Sequence, residues 1–147
     1  MENNAAEQLA AIADTRTAVA GRLVTPWWYH PALGLALAGY VLGLGLGGTP
    51  VSAVFAMLFI LVCLGLAHLY KRRTGVWVSG FEAGRASRWA YAMGALVGVI
   101  VAATWATTAY TNLNWPVWAL AATGFAGTVL LGRQFDAALR AQLRAAA

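Results

Sequence analysis

KRRTGVWVSGFEAGRASR, residues 71–88, holds five of the chain's ten Lys and Arg residues between two long apolar runs. Upstream lies VSAVFAMLFILVCLGLAHLY (51–70), and downstream lies WAYAMGALVGVIVAATWATTAY (89–110). Each run has the roughly 20 residues that a helix needs to cross about 30 Å of hydrocarbon. Lys and Arg in short loops mark the cytoplasmic side, so the segment joins two spans into a hairpin whose basic end is inside.

The same alternation extends in both directions. Arg16 and Arg22 precede an earlier apolar run, and Arg133, Arg140 and Arg144 follow a later one, while the connections at 47–50 and 111–114 carry no charge. None of the five acidic residues, Glu2, Glu7, Asp14, Glu82 and Asp136, falls inside an apolar run. We therefore expect an all-α, four-helix transmembrane bundle with spans at about 31–48, 51–70, 89–110 and 115–132. Four spans put both termini in the cytoplasm. Residues 1–26 are expected as a cytoplasmic amphipathic helix, 71–88 as a basic cytoplasmic loop and 133–147 as an amphipathic cytoplasmic tail. The whole of 1–147 reads as one integral membrane domain, because the segments outside the spans are too short for a soluble core.

Composition agrees. The chain is 61% hydrophobic and 10% charged, against roughly 25% charged in ordinary soluble domains. Glu2, Glu7 and Asp14 stand where a cleaved signal peptide carries its basic region, so the first span is expected to serve as its own insertion signal. The net charge of +5 is accounted for by topology and attraction to anionic lipid head groups, and no nucleic-acid-binding module accompanies it.

Local signals punctuate the spans. Thr25-Pro26 and His30-Pro31 disfavour helix before each proline, which starts the first span at Pro31, and Trp27, Trp28 and Tyr29 form an interfacial belt. Gly47, Gly48, Thr49 and Pro50 make a tight outer turn. Leu9, Ile12, Val19 and Leu23 recur at near-helical spacing, as do Phe135, Leu139 and Leu143, giving each terminus an apolar face for the inner membrane surface or a partner.

Small residues supply the packing signal. Gly39, Gly43 and Gly47 repeat every fourth position in the first span, Ala90, Gly94, Gly98, Ala102 and Ala106 in the third, and Gly124, Thr128 and Gly132 in the fourth. Lipid gives helices no hydrophobic reason to associate, so close backbone approach through small residues provides the contact. The second span carries bulk instead, in Phe55, Leu58, Phe59 and Leu66. These faces either hold one bundle together or leave one side for a second copy, and the sequence assigns neither role to any particular face.

Ionisable groups gather only at the cytoplasmic boundary. His30 and His68 lie at that level on antiparallel spans, with Cys63 about one turn deeper and Glu82 in the adjoining loop. The two histidines are candidates for a metal or haem site, but a metal ordinarily needs further ligands, and hydrogen-bonded interfacial histidines are the simpler reading. Cys63 reads as a small buried apolar residue. No metal or cofactor is expected. Lys71, Arg72, Arg73, Arg85 and Arg88, loosened by Gly75, Gly80 and Gly84 and flanked by Val76, Trp77, Val78 and Phe81, are expected to contact anionic lipid, with a phosphorylated ligand as the alternative. Their spacing matches no P-loop or dinucleotide fingerprint.

Small four-helix multidrug exporters match this chain in size, but they depend on a glutamate in their first helix, where this chain has Gly and Leu. LVTPWWYHPALGL (23–35), YKRRTGVWVSGF (70–81) and GRASRWA (84–90) resemble small four-span membrane proteins of high-GC bacteria, a resemblance that spans most of the chain and implies no particular activity. It places the protein in a bacterial cytoplasmic membrane. No nucleophile with a base and no intramembrane acid pair is present. The expected role is a structural or accessory subunit that associates with itself or with a membrane-protein partner and contacts anionic lipid. Two alternatives stay open: an oligomeric transporter or channel lined by Thr104, Thr107 and Thr108, and a membrane enzyme or redox protein using His30, His68 and Glu82.

Overall fold

A chain surrounded by lipid must pair its backbone amides internally, and the apolar runs do so as helices. The computed structural model describes residues 2–22, 25–75, 80 and 84–145. Among them, five α-helices follow in order: α1 (Glu2–Arg22), α2 (Tyr29–Leu46), α3 (Thr49–Thr74), α4 (Ser87–Tyr110) and α5 (Trp115–Ala145), with a 3-10 turn at Gly84–Ala86 leading into α4. Helices α2 to α5 are each long and apolar enough to cross a membrane.

The expected punctuation appears with two adjustments. Helix α2 begins at Tyr29, whose N–H donates to the Pro26 carbonyl at 3.0 Å, so His30 lies inside the helix and not before it. Pro31 tolerates this because first-turn N–H groups have no intrahelical partner to lose. Helix α5 does not stop near Gly132. It continues without a break to Ala145, 31 residues in all, or about 45 Å at 1.5 Å per residue. The expected tail is thus the C-terminal part of the fourth span's own helix.

The short connections follow their residues. Gly47 and Gly48 are both extended, and Pro50 sits in the first turn of α3. Gly75 ends α3 in the left-handed region at φ 67°, donating its N–H to the Lys71 carbonyl at 3.0 Å, a conformation glycine adopts without steric cost.

Helix α2 packs against α5 and α3 and touches α4, while α4 packs along α5. Leu37, Val41, Ile100, Val117 and Ala121 form the buried core between α2, α4 and α5. Phe55 of α3 lies against Gly39 and Gly43, Phe59 stacks on Tyr40 with centroids 5.5 Å apart, and Leu66 is buried. The fourth bulky residue, Leu58, turns outward with Val54, Met57, Ile60, Leu61 and Leu64, giving α3 a wide apolar outer face. Helix α1 touches α5 and leaves Leu9 and Ile12 exposed. Leu23 and the side chains of Val19 and Leu143 lie outside the described residues.

Candidate functional site

Because α2 and α5 run antiparallel, the start of one lies beside the C-terminal part of the other. His30, the second residue of α2, is only 8% exposed, and its Nε2 lies 2.8 Å from Asp136 Oδ2. A neutral ring bonded this way donates its Nε2–H to the carboxylate and leaves Nδ1 as a bare acceptor. Nδ1 is buried with no partner among the described residues. Gly132 makes the approach feasible, since a Cβ at that position would overlap the His30 ring. The glycine expected to close the fourth span instead admits an imidazole from α2.

Aromatic rings surround the pair. Tyr29 meets His30 edge-on with centroids 5.4 Å apart and lies 5.6 Å from the Tyr70 ring of α3. The Tyr70 side chain hydrogen-bonds with that of Thr25. Together with Leu33, Met93 of α4, and Phe135 and Leu139 of α5, these residues line a half-open cavity of about 200 Å³ whose surface is largely apolar.

The two histidines are not brought together as a pair: His68 lies on the exposed side of α3 while His30 bonds Asp136. Glu82, with Val76, Trp77, Val78 and Phe81, lies outside the described residues. Among the described residues no group of three or more His, Cys, Asp or Glu side chains is placed to hold a metal ion. Cys63 is half-buried on α3.

The five basic residues fall into two sets. Lys71, Arg72 and Arg73 are exposed on the last turn of α3, where cations complement the helix carbonyl end, and the Arg73 guanidinium lies 5.8 Å from the Trp28 ring centroid. Arg85 and Arg88, at the start of α4, line an open groove with Gln142 of α5, whose Oε1 accepts the Ala86 N–H at 3.3 Å. The threonines of α4 bond to their own helix. Thr104 donates to Ile100 O, Thr107 to Ala103 O and Thr108 to Trp105 O, with Thr104 buried and Thr108 exposed.

The small-residue positions divide clearly. Gly39 and Gly43 receive Phe55, Gly47 receives Val51, Gly124 receives Leu37 and Ile100, and Gly132 receives His30. Gly94 and Gly98 of α4 receive nothing, as does the isolated Gly65 of α3, so α4 alone carries two empty glycines at four-residue spacing. No heavy atom lies within 4 Å of a Cβ built at Gly94 or Gly98, and both are exposed beside Ala95, Val99 and Ala102.

Asp136 was legible in the sequence as a charge beyond the fourth span, but not as the partner of His30. The signal was the level they share, two residues into one helix and four beyond Gly132 on its antiparallel neighbour. No family model matches the chain, and no curated protein or solved structure is significantly similar to it.

Proposed function

We propose that the protein is a structural or accessory subunit of a bacterial cytoplasmic membrane, a four-helix bundle with both termini cytoplasmic. It associates through the open Gly94–Gly98 face of α4 with a second copy of itself or with another membrane protein. The observation that carries this reading is the contrast among the glycines: Gly39, Gly43, Gly47, Gly124 and Gly132 are each filled by a side chain of the same molecule, whereas Gly94 and Gly98 are empty. In lipid, small residues stabilise a helix only where another backbone approaches them. A second helix laid along Gly94, Gly98 and Ala102 gains that contact, and lipid chains do not reproduce it.

The topology is supported by charge. Lys71, Arg72 and Arg73 end α3, Arg85 and Arg88 precede or open α4, and Arg133 and Arg140 lie on the C-terminal part of α5, all at the end where His30 meets Asp136. At the other end the connections 47–48 and 111–114 are uncharged. The basic residues at the cytoplasmic surface contact anionic head groups at about 1 kcal/mol each. The test is Gly98→Leu. Energy transfer between two differently labelled copies in liposomes is expected to fall while helix content is kept. Unchanged transfer in a folded variant contradicts the reading.

A further inference from the structure

We infer that the cavity beside His30 and Asp136 binds an uncharged, lipid-soluble molecule of single-ring size whose ring carries oxygen, a quinone or a phenol. Size sets the first limit. The space is about 200 Å³, somewhat larger than a dry cavity of about 150 Å³ that takes up benzene and smaller than the roughly 300–1,000 Å³ of drug-sized sites. One ring with small substituents fits, and any tail leaves through the opening.

The walls select a flat guest. Rings of Tyr29, His30, Tyr70 and Phe135 come from three different helices, and the Met93 thioether comes from a fourth. Offset or edge contacts with such rings, and sulfur against a ring edge, favour an aromatic or quinonoid plane over a saturated chain. Leu33, Ala90 and Leu139 add aliphatic surface, so polar side chains such as Thr25 and Asp136 are the minority of the lining.

Those polar groups recognise ring oxygen. A carboxylate offers about four acceptor sites, of which His30 Nε2 takes one on Asp136, leaving capacity for a phenolic O–H. The Tyr29 hydroxyl, in the same lining, is a donor for a quinone carbonyl. Charge limits the guest on one side, because the Asp136 carboxylate in the lining opposes an anion. The cavity is built within one chain, so binding there does not depend on association through α4.

The experiment uses the purified full chain in detergent with isotope-labelled methionine methyl groups. Met93 lines the cavity and Met57 is exposed on α3, so one reports binding and the other reports partition into the micelle. A short-tailed benzoquinone and the corresponding alkylphenol are titrated separately. Either is expected to shift the Met93 signal saturably and leave Met57 in place. Ala90→Phe, which fills the cavity from α4, should abolish the shift, and Asp136→Asn should weaken binding about tenfold. Ala90→Phe is scored only where helix content is native, and Leu33→Trp fills the same space from α2. An unmoved Met93 signal with both probes, equal shifts at Met57, or saturation that survives cavity filling overturns the inference. So does displacement of the probe by an alkyltrimethylammonium ion, which would make the site one for cations.

Discussion

His30 Nε2 and Asp136 Oδ2 lie 2.8 Å apart across 106 residues of sequence, joining the start of α2 to the C-terminal part of α5. The side chains are 10% and 16% exposed, and a polar group buried that far is stabilised only while its partner remains. The pair therefore ties two helices that otherwise meet through apolar surface.

Asp136→Ala is expected to lower stability by about 2 kcal/mol, since it strands a buried imidazole. Removing both partners in His30→Phe/Asp136→Leu should restore part of the loss, because no orphaned polar group remains. Thermal unfolding of the wild type, His30→Phe, Asp136→Leu and the double variant in one detergent gives the cycle. Additive losses would mean the two side chains do not interact.

Gly132→Leu is expected to cost about 1–3 kcal/mol by forcing a side chain into the His30 ring. His30→Ala should rescue it, and the same rescue should fail for Gly43→Leu, which meets Phe55 instead. Gly98→Leu, with nothing within 4 Å, should leave stability within about 0.5 kcal/mol.

Thr128 Oγ1 is buried with no hydrogen-bond partner among the described residues, whereas Thr104 Oγ1 donates to Ile100 O at 2.7 Å. Thr128→Val removes an unpaired hydroxyl at nearly constant volume and is expected to raise the melting temperature, because burying an unbonded hydroxyl is costly. Thr104→Val, which discards a bond already made, should not. A drop for Thr128→Val would place an undetected partner on that hydroxyl.

Topology is testable with an impermeant thiol reagent on intact cells. Gly48→Cys and Asn112→Cys are expected to be labelled from outside, and Gly75→Cys and Gln142→Cys only after permeabilisation. Labelling of the opposite pair would invert the orientation argued from Lys71, Arg72 and Arg73.

The four apolar helices were legible in the sequence because length and hydropathy alone specify a span, and glycine and proline punctuate each turn. The ends were less legible. As a string, Phe135 and Leu139 form an apolar face for the membrane surface or a partner, yet Leu139 packs with Ala86 and Tyr70 packs against the same small cluster, so the C-terminal part of α5 belongs to the fold. The local preference before proline predicts a start at Pro31, whereas a first turn has no amide hydrogen bond to lose and α2 starts at Tyr29. The pairing with Asp136 depends on how deep each helix sits, which one-dimensional spacing does not encode. The division of the glycines into filled and empty likewise depends on rotation about each helix axis. All three small-residue runs look alike as strings, and only neighbours such as Phe55 and His30 distinguish them.

Site-directed photo-cross-linking in native membranes tests the association surface most directly. A photoreactive side chain at Ala95, on the exposed side of α4, is expected to capture a second copy or another membrane protein, and Gly98→Leu in the same chain should abolish that adduct. The same group at Met57, on the outer face of α3, should capture lipid alone. Identical capture from Ala95 and Met57, or an Ala95 adduct that persists with Gly98→Leu in a folded protein, would contradict the proposal that the protein associates through α4.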